Sequence, residues 1–184
     1  MKDIKLLYIF LTVIVFSLAL VGCSSGKISP ISQKETSPSV KMMNTGSPAP
    51  SFELKDIKGN VHKLSDYTGK KVYIKFWASW CSICLAGLDE VDTLAGENND
   101  FQVLTVVSPG FRGEQSKEDF IKWFDSLGKK NLTVLIDTDG TLATKLGVRG
   151  YPTSVFIGSD GVLVKTTPGQ KSNMDIKLTY KTIK

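Results

Sequence analysis

A pair of cysteines two residues apart constrains this 184-residue chain more than any other feature of the sequence. The segment Trp80-Cys81-Ser82-Ile83-Cys84 follows closely on the apolar, β-rich run of residues 72–77. Beyond the pair, apolar residues at positions 84, 88, 91 and 95 recur at the spacing of one helix face. The pair therefore lies where a buried strand ends and a helix begins.

This position suits disulfide exchange. The reacting species is the thiolate, yet a free cysteine with a pKa of about 8.5 is mostly protonated at neutral pH. Unpaired N–H groups at a helix N-terminus stabilise negative charge and so favour a thiolate at Cys81. Two intervening residues bring the second sulfur one helical turn along. We predict that Cys81 is the exposed nucleophile and that Cys84 is the buried thiol that resolves its mixed disulfides.

Two other uses of a Cys-x-x-Cys pair are less suited to this chain. Half of a zinc site would need two further ligands, and beyond Cys23 the sequence offers only His62, so we expect no metal. A purely structural disulfide across so short a loop would contribute little entropic stabilisation. Redox chemistry is the favoured interpretation.

Strand-like and helix-like segments alternate from residue 51 onward and predict an α/β fold. The Ser116–Leu127 segment is typical of an amphipathic helix capped by Ser116 and ended by Gly128. Residues 153–166 read as a β-hairpin across Gly158-Ser159-Asp160-Gly161. We expect a mixed sheet with helices on both faces. The other predicted strands are 51–54, 61–64, 72–77, 101–107 and 132–136, and further helices are predicted after Cys81, from Thr141 and from Asn173.

The amino terminus has the pattern of a targeting segment. Lys2 and Lys5 precede an apolar stretch over residues 6–21, as in a secretory signal peptide, and Leu20-Val21-Gly22-Cys23 resembles the lipobox of bacterial lipoproteins. We therefore predict a signal peptide over residues 1–22 and acylation of Cys23. The alternative is an uncleaved anchor, although these sixteen residues fall short of the roughly 20 that a span requires. Either arrangement puts the domain outside the cytoplasmic membrane, where disulfides persist.

Residues 23–46 are rich in Ser, Lys and Pro and predict a flexible tether, because they cannot bury enough surface to offset their ordering entropy. Residues 47–184 then form one domain. The formal net charge of +5 is mild and its lysines are scattered, with no basic stripe of interleaved aromatics. Nucleic-acid binding is therefore not expected.

Three segments together carry a resemblance to a known family. Residues 76–84, Phe-Trp-Ala-Ser-Trp-Cys-Ser-Ile-Cys, look like the thioredoxin-superfamily active-site segment. Residues 47–52 and 64–70 look like the entry of its TlpA/ResA-like branch, and Gly150-Tyr151-Pro152-Thr153 matches the family's cis-proline segment. The resemblance implies a thioredoxin fold, a mixed central sheet flanked by helices with an N-terminal β extension and a central insertion.

The resemblance also assigns supporting roles around the cysteines. Pro152 is implied to be cis and packed against the pair, which leaves the Tyr151 backbone to pair with an extended peptide, while Trp80 shields the sulfurs. Between the cysteines, Ser82 and Ile83 stand where many members of the family have a dipeptide that contains proline. No cofactor is implied beyond the redox-active Cys81–Cys84 disulfide.

Two positions depart from the family pattern. Lys75 stands where many thioredoxins carry a buried Asp, and Gly87 stands where the ResA-like branch often has a Glu. Two interpretations of Lys75 remain open. Its charge lowers nearby thiol pKa values, or its stem packs in the core while the ammonium reaches water.

By resemblance, the chain is a reductase of protein disulfides, itself reduced by a DsbD/CcdA-type membrane protein. Residues 106–111 and the helix around Trp123 are similar to thioredoxin-like domains that serve extracytoplasmic methionine sulfoxide reductases. Alternatives are a disulfide-forming oxidase, a cytochrome c maturation thioredoxin and a non-enzymatic surface-binding lipoprotein. A peroxiredoxin is disfavoured because its lone peroxidatic cysteine does not sit in a Trp-Cys-x-x-Cys motif.

Overall fold

The computed structural model describes residues 43–184, and all of its strands belong to one eight-stranded mixed sheet. The strands are β1 (Ser47–Pro48), β2 (Glu53–Asp56), β3 (Val61–Lys63), β4 (Lys71–Phe76), β5 (Phe101–Val107), β6 (Val134–Ile136), β7 (Thr153–Ile157) and β8 (Val162–Pro168). Their order across the sheet is β1-β8-β7-β4-β5-β6-β2-β3.

Strand β4 lies at the centre of the sheet. It pairs in parallel with β5 and antiparallel with β7, so that Phe76 lies opposite both Val106 and Thr153. The first three strands lie at the two outer edges, where β1 pairs with β8 and β2 pairs with β6 and β3. The mixed sheet and the N-terminal β extension are as predicted.

Helices cover both faces of the sheet. Apart from two short 3-10 turns, they are α1 (Ser82–Ala86), α2 (Leu88–Gly96), α3 (Lys117–Ser126), α4 (Thr141–Lys145) and α5 (Asn173–Thr182). Because successive residues of a strand point to opposite faces, β4 divides its side chains between two cores. Tyr73 and Trp77 pack with α1, α2, α3 and α5, whereas Ile74 and Phe76 pack with α4.

Local sequence signals explain where several of these helices begin. At α3, Ser116 Oγ accepts a hydrogen bond from Asp119 N at 3.2 Å and donates to the Asp119 carboxylate, as in a capped N-terminus. Ser172 caps α5 in the same way with Asp175. Helix α3 lies in the segment between β5 and β6, which is the predicted central insertion.

The helix predicted after Cys81 is divided into two. Gly87 separates α1 from α2 with φ of −99° and ψ of 9°. A Cβ atom at Gly87 would collide with the side-chain amide of Gln170, which packs against this break. The sequence showed the helical periodicity of both segments, but the contact with a residue 83 positions away is a tertiary feature.

Candidate active site

The two cysteines are joined by a disulfide at the edge of the sheet where β4 ends. Cys81 is the N-cap of α1, and its Sγ accepts a hydrogen bond from Cys84 N at 3.2 Å. Their Cα atoms are 5.2 Å apart. The strand fixes the direction of the connecting segment because Trp77 N still donates to Val106 O of β5.

The two sulfur-bearing residues differ in exposure. Cys84 is completely buried, whereas Cys81 keeps 7% of its surface accessible. Cys81 is therefore the more accessible residue, although far less open than the sequence suggested. This order supports the prediction that Cys81 is the nucleophile and Cys84 the resolving thiol, because an incoming sulfur must reach the attacked atom.

An apolar rim surrounds Cys81. Trp80 and Ile83 are 54% and 61% exposed, which is high for such large apolar side chains, and Ser82 between them is exposed as well. The Trp80 ring packs edge-on against Tyr151, with ring centroids 6.0 Å apart. Exposed apolar surface around a reactive group favours a protein or peptide as the reaction partner.

The loop that contains Tyr151 and Pro152 lies beside the cysteine pair. The Tyr151–Pro152 peptide bond is cis, as the resemblance implies. Pro152 precedes Thr153, the β7 residue opposite Phe76, and Pro152 O accepts a hydrogen bond from Gly169 N at 2.8 Å. Burial raises the pKa of the Tyr151 phenol, so this side chain is uncharged at physiological pH.

Glu114 is a site residue that the sequence analysis missed. It lies in the loop after β5, is buried, and its carboxylate accepts hydrogen bonds from Ser79 N at 2.6 Å and from Gln115 N at 2.9 Å, and also from the Ser79 hydroxyl. These bonds tie the loop to the segment that carries Trp80 and Cys81. The available signal was topological, because β4 and β5 are parallel and their following loops meet at the same edge.

Lys75 lies on the face of β4 that points toward the cysteine pair. Its side chain is only 1% exposed, so the alternative in which the ammonium reaches water is excluded. Its Nζ donates a hydrogen bond to Gln170 Oε1 at 3.0 Å. Burial lowers the pKa of Lys75 to about 8, an effect that the nearby Glu90 carboxylate opposes.

Two features of residues 43–184 bear on other functions. In this part of the chain, no three His, Cys, Asp or Glu side chains are grouped so that they could hold a metal ion. Within the same range, every helix is too short or too polar to span a bilayer. Cys23 and the segments predicted as signal peptide and tether, apart from residues 43–46, lie outside the described residues.

Comparisons with known proteins agree with the geometry. The family model described as Redoxin matches residues 44–182. The crystal structure of the pneumococcal exposed lipoprotein thioredoxin Etrx1 from Streptococcus pneumoniae is 53% identical with a TM-score of 0.70, and the match covers 73% of this chain and 100% of that chain.

Two curated relatives are similar to the chain over most of their length. The thioredoxin-like protein YneN of Bacillus subtilis is 33% identical over 135 residues, which are 72% of this chain and 78% of YneN. The thiol-disulfide oxidoreductase ResA of Geobacillus thermodenitrificans is 29% identical over 143 residues, 76% of this chain and 78% of ResA. With the disulfide at the end of β4 and the thioredoxin fold around it, the chain belongs to the Redoxin family and is a thiol-disulfide oxidoreductase of the TlpA/ResA-like type.

Proposed function

We propose that this protein is a lipid-anchored reductase on the extracytoplasmic face of the bacterial membrane. It takes electrons from a DsbD/CcdA-type membrane protein and passes them to oxidised thiol proteins, methionine sulfoxide reductase among them. The observation that carries the proposal is the exposed apolar rim of Trp80 and Ile83 around Cys81, the more accessible cysteine of the pair. Such a rim suits a folded protein partner better than a small thiol.

The place where the chain enters the domain supports anchoring at the far end from the active site. Met43 N and Asn44 N donate to the Asp160 carboxylate at 2.6 and 2.8 Å. Asp160 lies in the turn that follows β7, while the cis-proline at the start of β7 lies beside the cysteines. The five residues of β7 separate the two ends by about 17 Å. Residues 43 and 44 therefore join the domain at the end of β7 opposite the cysteine pair, which leaves Cys81 clear of the tether.

The description of a similar protein supports the proposed extracytoplasmic location. Etrx1 is described as an exposed lipoprotein thioredoxin, and Cys23 of this chain ends a segment with the lipobox pattern. A diacylglyceryl-type anchor supplies two acyl chains, the number needed for stable attachment. A tether of roughly 20 residues would let the domain move about 25 Å from its anchor on random-coil scaling.

The chemistry of methionine sulfoxide reduction supports the choice of partner. Each turnover oxidises the reductase's own cysteine, first to sulfenic acid and then to a disulfide. Outside the membrane a tethered dithiol must remove that disulfide, because cytosolic thioredoxins cannot reach it. Residues 106–111, by which the sequence resembles the domains that serve such reductases, lead from β5 toward Glu114, and Glu114 accepts a hydrogen bond from Ser79 of the active-site segment.

A reconstituted cycle tests the pairing. We expect this protein in reduced form to regenerate a methionine sulfoxide reductase, so that oxidised-methionine substrate is consumed beyond one equivalent of reductase for as long as a dithiol donor is supplied. The Cys81→Ser variant is the control and should support a single turnover only. Equal consumption with the parent and the variant would contradict this partner, and insulin disulfide reduction by the same preparation would show whether general thiol exchange survives.

A further inference from the structure

A buried cation lies beneath the helix that carries Cys84. Tyr73 of β4 and Trp77 just beyond its end lie two residues before and after Lys75, and both pack in one core cluster with Cys84. Lys75 sits between them and is 1% exposed. A lysine so placed is uncommon, because burying a charge costs free energy unless it is paired.

The hydrogen bonds around Lys75 leave donors to spare. An ammonium has three N–H donors, and among the described residues Nζ has a single hydrogen bond, to Gln170 Oε1. The polar neighbours on the adjacent strands are engaged elsewhere. Ser154 bonds the Tyr73 hydroxyl at 2.9 Å, and Thr105 Oγ1 bonds Thr133 O at 3.2 Å.

Gln170 fixes where the ammonium lies relative to Cys84. Its side chain occupies the space left by the missing Cβ of Gly87, and its Nε2 donates to Lys171 O at 3.1 Å. Gly87 is three residues beyond Cys84, about one helical turn or roughly 5 Å along the axis. Glu90, a further three residues on, is the nearby carboxylate, and it is exposed to solvent.

We propose that Lys75, held by Gln170, is a positioning residue whose ammonium stabilises the thiolate of Cys84 each time the disulfide is open. The inference deepens the proposed function and depends only on its thiol-exchange step. It also accounts for Gly87, since any side chain there would displace Gln170.

The thiol exchange takes place in two successive attacks. Cys81 thiolate attacks a disulfide of the partner, so that a Cys81–partner bond forms and one partner sulfur leaves as a thiolate. Cys84 thiolate then attacks Cys81 Sγ, the mixed disulfide breaks, and its electron pair leaves on the second partner sulfur. Two electrons have passed from the dithiol to the partner. The ammonium favours the anion of Cys84 needed for the second attack. At neutral pH the amine is mostly protonated, because its pKa is about 8.

The expected shift in the pKa of Cys84 follows from Coulomb's law. At an effective dielectric constant of about 20, a unit charge about 6 to 12 Å away shifts a pKa by roughly one to two units. Removing it should therefore lower the thiolate fraction of Cys84 at neutral pH about 10- to 100-fold.

Dithiobis(nitrobenzoate), added in one equivalent to the reduced full chain, separates the two steps. The first thionitrobenzoate appears when Cys81 forms the mixed disulfide, and the second when Cys84 resolves it. In Lys75→Met we expect the second phase to slow about 10- to 100-fold at neutral pH, and to recover only as the pH rises toward the pKa of the buried Cys84 thiol, above the ordinary value of about 8.5. The first phase should change less.

Two further variants make the test specific. Gln170→Glu keeps the size of the side chain against Gly87 but pairs the ammonium with a carboxylate, so the second phase should slow although Lys75 is present. Lys165→Met removes an exposed lysine of β8 and should leave both phases unchanged. An unchanged second phase and pH profile in folded Lys75→Met and Gln170→Glu would overturn the proposal. If Lys75→Met does not fold, Gln170→Glu decides. Loss of both phases in the parent would instead contradict the thiol chemistry itself.

Discussion

The Cys84→Ser variant is expected to accumulate covalent mixed disulfides with its protein partners, while Cys81→Ser accumulates few or none. Cys81 retains the accessible surface of the pair and Cys84 retains none. An attacking partner thus reaches Cys81, and only Cys84 is positioned one turn away to release it. Insulin reduction should fall to background in Cys81→Ser.

The measurement is a non-reducing gel of membranes from cells quenched with acid and alkylated before lysis. Bands that disappear on reduction report the trapped complexes, and the parent protein shows the background. Equal trapping by the two variants would mean that the assignment of nucleophile and resolving thiol is wrong, while leaving the dithiol chemistry in place.

The second large effect is the loss of stability expected when the Glu114 carboxylate is removed. In Glu114→Ala, the N–H groups of Ser79 and Gln115 and the Ser79 hydroxyl all lose their acceptor. Unpaired buried donors and lost bonds to a charged group each cost on the order of 1–3 kcal/mol. Because water can replace some of these bonds in a loop, we expect the free energy of unfolding to fall by about 2–4 kcal/mol.

Denaturant unfolding of the oxidised protein measures this loss. Glu118→Ala is the matched control, since Glu118 is exposed in the first turn of α3 and its loss should cost less than about 1 kcal/mol. Glu114→Gln keeps one acceptor oxygen and should fall between the two. If Glu114→Ala and Glu118→Ala unfold alike, the carboxylate does not hold the active-site segment in place.

Local sequence patterns were sufficient for much of this fold. The buried run of β5 was predicted with the bounds that the structure shows, and the closing helix α5 begins at Asn173 as predicted, because both elements are encoded by local patterns. The strand predicted over residues 51–54 is instead β2, Glu53–Asp56. Its position is set by pairing with β6, where Lys55 lies opposite Ile136, and no local pattern encodes that register.

The residues of the active site also fall into those that the sequence could reveal and those that it could not. The cysteines, Trp80 and Pro152 stand in contiguous motifs and could be found from the sequence. The bond between Glu114 and Ser79 joins residues 35 positions apart, and the bond between Lys75 and Gln170 joins residues 95 positions apart. Such contacts arise from parallel strand pairing and from packing of the last loop against Gly87. The sequence showed that Lys75 was unusual but could not show what held it.

The redox state of Cys81 and Cys84 in intact cells tests the central claim most directly. Cells are quenched with acid, free thiols are alkylated with a reagent that adds mass, and the protein is detected on a gel. A protein that delivers electrons to oxidised partners must itself be kept reduced by its donor. We therefore expect both thiols to be alkylated in most molecules, and the disulfide to accumulate when the membrane donor is deleted. A pair that is mostly oxidised in unperturbed cells would contradict the reductase and favour a disulfide-forming oxidase.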